Sequence, residues 1–452
     1  QPEYDPSEPW GGNSRGGAED VNLQYRGYEA HYIWVMICGI FVWLIIPGLG
    51  LLYGGLSRRK SALALLFQSF MVSAVTTLQW MFWGYSLVYA RDASMFIGTF
   101  ANFGMRNVQA APRGVLPDIV FCFYQLMFAM VTIMIVMGGT FDRGRIVPSL
   151  VFSFIWLTLV YCPLACWTWN DNGWLHNLQS LDYAGGGPVH VASGWAAFAY
   201  ALALGKRKHN DEYTRSRPHN TTLVFVGTCF VWFGWFGFNG GSALNGTVRS
   251  MYAVMNTQIS AGCGALSWAI VDALTHRGRF SLIGACEGVI AGLVGITPAA
   301  GYVQVWAAAL IGVVTAAVCN LGKDLPRVFH VDEGLVVFSL HALGGMTGSL
   351  MTGIFADSAI SALDGVTVAP GAWNGNGMQV VYQLIDIAAS SAWSFFVTLA
   401  ILLVMKYIPG LQLRVSDAEE MKGLDLVEFH EEQIGDWSFY AVWERNNNNT
   451  SL

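Results

Sequence analysis

Apolar runs of about 20 residues, long enough to cross a bilayer, recur along almost the whole chain with short polar interruptions. Eleven are read, at roughly 31–53, 62–89, 117–139, 147–168, 188–205, 221–243, 251–274, 281–298, 302–321, 334–355 and 379–408. They predict an all-α polytopic membrane protein whose 31–408 region is one transmembrane domain. A polar segment, 1–30, precedes it, and a tail, 409–452, follows. An odd number of crossings puts the two ends on opposite sides. Fourteen Lys and Arg, from Arg58 to Arg327, fall in the loops of one side, and six, from Arg15 to Arg249, in those of the other. The richer side is cytoplasmic, which places the N-terminal segment outside and the tail inside.

Composition agrees with a lipid solvent: 54% of the 452 residues are hydrophobic and 12% charged, about half the charged share of soluble domains. Glycine is in excess at 51 residues, and small residues let membrane helices approach closely. The net charge of −6, with its basic residues in short inter-span clusters, gives no footprint for nucleic acid. The eight cysteines lie in or at the ends of apolar runs and read as small packing residues.

Eleven can be written as five, five and one, the arrangement of an inverted repeat built around a midplane site. The first and sixth runs each carry a glycine-rich stretch, Gly48 to Gly55 and Gly234 to Gly241. The fifth and tenth each carry a histidine among small residues, in Ala184-Gly-Gly-Gly-Pro-Val-His190 and His341-Ala-Leu-Gly-Gly-Met-Thr-Gly348. Of nine histidines only His190 and His341 fall inside runs. Intramembrane ionisable groups are expensive and mark pathways, and imidazole can pass a proton between its nitrogens. A facing pair suits a small polar solute or its proton.

Competing chemistries are poorly supported by spacing. No Cys, Asp or Glu stands at ligand distance from either histidine within its own helix, so neither a metal nor another cofactor is expected. A hydrolase would need an activated nucleophile, and Ser242 sits in Phe238-Asn-Gly-Gly-Ser242, outside any elbow motif; His430-Glu-Glu lacks a second histidine. The chain is therefore not expected to be an enzyme. Asp182, just ahead of the helix opened by Pro188, reads as a cap of free backbone donors with an electrostatic share. Asp332 and Glu333 read as caps of the tenth run, and Glu287 and Asp386 as helix contacts or inter-subunit bonds. Trp232-Phe-Gly-Trp-Phe-Gly-Phe238 separates its rings with glycines and could present them to a cavity, where aromatic faces hold cations.

Three segments carry a resemblance over about 30–435. Asp182-Tyr-Ala-Gly-Gly-Gly-Pro-Val-His190, Gly234-Trp-Phe-Gly-Phe-Asn-Gly-Gly-Ser-Ala243 and Phe338-Ser-Leu-His341-Ala-Leu-Gly-Gly look like signatures of the ammonium transporters of the Amt/Mep/Rh superfamily. Tyr124-Gln-Leu-Met-Phe128, Leu413-Arg-Val-Ser-Asp417 and Gly423-Leu-Asp425 resemble the fungal Mep branch. The resemblance implies an outer recruitment site from Trp169, Ser242 and Phe128, a gate from Phe128 and Phe238, a twin-histidine pore from His190 and His341, and a structural or electrostatic Asp182. It implies a plasma-membrane homotrimer that takes up ammonium or methylammonium: ammonium loses its proton, ammonia passes the gate, and the histidines relay the proton. The polar tail reads as a solvated end or, as the resemblance implies, as a regulatory segment that contacts loops such as Lys206 to Arg217 and is open to a cytoplasmic regulator or kinase. An ammonium sensor or transceptor is the alternative within the class, and an intramembrane enzyme the one outside it.

Overall fold

The computed structural model describes residues 22–208 and 218–429. His430 with its acidic neighbours, Arg217, Arg15 and most of the rest of the 1–30 segment, named above, lie outside the described residues.

Helical segments overlie all eleven apolar runs. They are α1 (Glu29–Leu56), α2 (Arg59–Tyr89), α3 (Asp118–Thr140), α4 (Ile146–Asn177), α5 (Gly186–Val191 continuing as Ala192–Leu204) and α6 (Thr221–Gly240). After these come α7 (Val248–Thr275), α8 (Leu282–Ile296), α9 (Val305–Val328), α10 (Phe338–Leu343 continuing as Gly344–Phe355) and α11 (Met378–Lys406). Among the described residues, α1, α2, α3, α4, α6, α9 and α11 are long and apolar enough to cross a membrane by themselves. The chain is thus a multi-pass helical membrane protein. The others fall short in length or hydropathy: α8 has 15 residues, α7 carries buried Arg249 and Asp272, and α5 and α10 carry a histidine among glycines and hydroxyl residues.

Prolines shape two of the long helices. Pro47 cannot donate to the Trp43 carbonyl, and α1 breaks at Leu44, whose N–H tightens onto the Phe41 carbonyl at 3.0 Å. In α4 a π-helical turn, Leu157–Tyr161, precedes Pro163, and the Leu159 carbonyl that Pro163 cannot serve is taken by the Trp393 indole N–H at 3.1 Å.

The glycine-rich stretches of α1 and α6 lie against each other. A Cβ on Gly237 would come within 2.4 Å of the Cys38 carbonyl, and one on Gly227 within 2.6 Å of the Gly48 carbonyl, so the two backbones are in contact along their length. All eight cysteines are free thiols and six are buried, as packing residues would be.

The tail folds back under the bundle. Val415 and Arg145 exchange backbone hydrogen bonds with Arg143 and Leu413 at 3.1 and 3.0 Å. Asp425 accepts the N–H groups of Leu63 and Ala64 at 3.1 and 2.8 Å, serving free donors in the first turns of α2. Buried Glu420 accepts from the Lys208 amide at 3.0 Å and from Arg414 at 2.6 Å, while Lys208 Nζ lies 2.8 Å from Asp417. The expected contact between tail and the loop after Lys206 is therefore present at Lys208.

Candidate functional site: a paired-histidine channel

Both histidines sit in π-helical turns, Gly186–Val191 and Phe338–Leu343, local insertions that often mark functional positions. The His190 amide bonds to the Gly185 carbonyl five residues back at 3.1 Å, with Gly185 at φ +112°, a conformation that favours glycine. Asp182 holds this entry: its buried carboxylate accepts the N–H groups of Gly185 and Gly186 at 2.7 Å and of Gly187 at 2.8 Å. Burial pushes the Asp182 carboxyl up, and these backbone donors work in the opposite direction. Glu333 is its counterpart, eight residues ahead of His341, accepting from the N–H groups of Leu335 and Phe338 at 2.9 and 3.4 Å.

The two turns cross where side chains are smallest. A Cβ on Gly194 would lie 2.3 Å from the Ala342 nitrogen, and one on Gly345 would lie 3.0 Å from the Gly186 carbonyl and 3.1 Å from His190 Cβ. This crossing brings His190 Nδ1 to 3.2 Å from His341 Nδ1, with both side chains buried. At that separation one nitrogen donates and the other accepts, so a single proton lies on the line between them. Among the described residues, His190 Nε2 is buried without a hydrogen-bond partner. Trp235 stacks on the His190 ring at 5.3 Å and 14°, and its own N–H is anchored on Thr297 at 2.9 Å.

Next to the pair, Phe128 and Phe238 stack at 4.0 Å between centroids and 23°, both fully buried. Phe238 also contacts the His190 ring at 6.2 Å. Phe128 meets Trp169 edge-on at 5.9 Å, and the Trp169 indole donates to the Asp182 carbonyl at 3.2 Å. The neighbouring Trp167 and Trp174 pack elsewhere, against each other and, for Trp167, against Phe96 and Trp393.

Ser242 stands beside Phe238, on the side away from the histidines. Its hydroxyl donates to the Phe238 carbonyl at 2.8 Å; Tyr124 donates to the same carbonyl at 2.6 Å and stands 3.2 Å from Ser242 Oγ. Tyr124 also has the Gly237 carbonyl at 3.0 Å, and while Ser242 donates to Phe238 its Oγ keeps lone pairs suited to a ligand that brings N–H donors.

Trp169, Phe128, Ser242, Phe238, His190 and His341 are thus gathered into one file. Asp386 is a helix contact instead, its carboxylate accepting Ser180 and Ser390 at 2.9 and 3.0 Å. Sequence reasoning left out Tyr124, Trp235 and the glycines four residues after each histidine. The last had a signal, since His-x-x-x-Gly occurs in both halves. Among the described residues no group of three or more His, Cys, Asp or Glu is placed to hold a metal.

The profile described as "Ammonium Transporter Family" matches residues 33–434. The chain is similar to ammonium transporter MEP2 of Saccharomyces cerevisiae, with 48% identity over 96% of this chain and 87% of that protein, and to ammonium transporter 1 of Schizosaccharomyces pombe, with 44% identity over 93% and 85%. The crystal structure of Candida albicans Mep2 superposes with a TM-score of 0.88 at 45% identity, covering 97% of this chain and 96% of that one. That family is one of transporters rather than enzymes, and the chain, on its sequence and its fold alike, belongs to the ammonium transporter family.

Proposed function

We propose that the protein takes up ammonium across the plasma membrane by recruiting it at Trp169, Ser242 and Phe128, removing its proton, and passing ammonia through the Phe128–Phe238 gate while the proton moves along His190 and His341. The observation that carries the reading is the Nδ1–Nδ1 distance of 3.2 Å between two buried histidines beside stacked rings. A pair that shares one proton holds it in a chain of exchangeable sites.

Ammonium and potassium have similar size and charge, so selectivity has to use what potassium lacks. Ammonium donates hydrogen bonds to Ser242 Oγ, and the ammonia it yields donates to a free imidazole nitrogen. Potassium donates nothing and leaves its hydration behind at a dry gate, where an unpaired ion is heavily penalised. The aromatic faces of Trp169 and Phe128 add cation–π attraction at the entrance. The stacked phenylalanines have to swing apart for each passage.

Eleven crossings with the N-terminal segment outside, the tail inside and three subunits per assembly complete the reading. The docked tail is its regulatory element and the surface on which a cytoplasmic regulator or kinase would act. Ammonium jumps on proteoliposomes containing the purified protein test it: ammonium and methylammonium enter and potassium does not. Absence of ammonium entry through correctly inserted protein overturns it.

A further inference from the structure

The pore described above ends at His341, which leaves the cytoplasmic exit of the proton unassigned. Past His341 lies a cavity of about 20 Å³, room for a single water. Its wall includes Tyr53, Cys286, Glu287, Leu335, Val337 and His341, and it is otherwise aliphatic. Glu287 stands in the second turn of α8, and no hydrogen bond among the described residues holds its carboxylate. Among the described residues no hydrogen bond or ion pair accounts for this carboxylate, which faces the same small, apolar space as the last histidine of the relay, and intramembrane acids of this kind serve pathways.

We propose that Glu287 is the proton acceptor on the cytoplasmic side of the histidine pair. The inference rests on the relay reading above. The N–H bond of His341 breaks, its proton passes through the cavity water, and an O–H bond forms on Glu287. The carboxyl then releases that proton to cytoplasmic water and returns to carboxylate, so no other reactant is consumed. Ammonia leaves through the same cavity and is reprotonated outside it. The charged groups whose fields reach Glu287 are Lys323, Asp272 and Glu333; Lys323 and Asp272 lie 3.9 Å apart and Glu333 is engaged by backbone N–H groups.

The test compares ammonium-driven currents in proteoliposomes for wild type, Glu287→Gln, Glu287→Asp, Glu287→Ala, His190→Ala and His341→Ala, each checked for assembly by size-exclusion chromatography. Glu287→Gln is expected to lower the current on the order of tenfold or more while potassium stays excluded, and Glu287→Asp to keep most of it. Formate on the cytoplasmic face should restore current to Glu287→Ala, which a purely structural role would not produce. Wild-type current in Glu287→Gln, or a loss in Glu287→Ala that formate does not relieve, overturns the assignment and leaves the relay standing. Wild-type currents and selectivity in both histidine variants overturn the relay, and the assignment with it.

Discussion

Gly194 and Ala342 approach so closely that a Cβ on the glycine would lie 2.3 Å from the Ala342 nitrogen, and this crossing sets the spacing of the two histidines. Its contact partner is backbone, which cannot turn aside. Gly194→Ala is expected to cost about 1–3 kcal/mol through overpacking and to force α5 and α10 apart. The measurement is thermal unfolding in detergent alongside ammonium uptake. A variant with wild-type stability and uptake would show that the crossing tolerates more space than it has.

Ser242 keeps lone pairs for a ligand when its own proton goes to the Phe238 carbonyl, with Tyr124 bonded to the Phe238 and Gly237 carbonyls beside it. Ser242→Ala removes that acceptor. A hydrogen bond to a charged partner contributes about 1.5–3 kcal/mol, so the apparent KM for methylammonium is expected to rise roughly tenfold or more with little change in maximal rate. Tyr124→Phe leaves Ser242 in place and should raise KM less. Equal KM values for wild type and Ser242→Ala would remove the serine from the recruitment site.

Asp332, just ahead of α10, forms a pH-dependent clamp. Arg207 reaches its carboxylate with Nη2 at 2.7 Å, Nε at 2.9 Å and its amide at 2.8 Å. Burial works against ionisation, but the bonds and charge of Arg207 hold the Asp332 carboxyl below the usual range. A carboxyl depressed in the folded state stabilises fully above its unfolded value near 4, and that contribution is lost as pH falls through the lower, folded value. Thermal stability of the wild type should therefore fall in that acidic window. Asp332→Asn, already lacking the pair, should be less stable near neutrality by about 3 kcal/mol and flatter with pH. A variant that tracks the wild type across the window would contradict this.

The α2 end of the tail contact rests on Asp425, which caps Leu63 and Ala64. Asp425→Ala is expected to weaken docking by about 1 kcal/mol, the usual value of a cap, and to make the tail more susceptible to limited proteolysis. Uptake should change with it if the tail regulates; unchanged cleavage would show that Glu420 and the Arg143–Val415 pairing hold the segment without Asp425.

The positions of the helices were legible because lipid demands long apolar runs, and each run lies under a helical segment. Their interruptions were not. The π-helical turns of α5 and α10 have no common residue pattern, Gly186-Gly-Pro-Val-His-Val191 being poor in helix formers and Phe338-Ser-Leu-His-Ala-Leu343 not, and they lie beside contacts such as the crossing at Gly194 and Gly345. The histidine pair could be read from its symmetry and from the scarcity of polar groups around it, and the structure brings the two rings together. Trp235 was visible only as one ring among several, since nothing in Trp232 to Phe238 says which ring stacks on His190. Glu287 read as a helix or subunit contact, because the cavity it faces is assembled from α1, α8 and the start of α10 and no single helix announces it.

The most direct test of the account is the pair of ammonium and potassium currents through His190→Ala and His341→Ala in proteoliposomes, recorded beside wild type. Each variant is expected to alter the ammonium current and lose exclusion of potassium, because the proton chain is cut and an unlined gap is left beside the gate. Ammonium currents equal to wild type with potassium still excluded, in both variants, would contradict it.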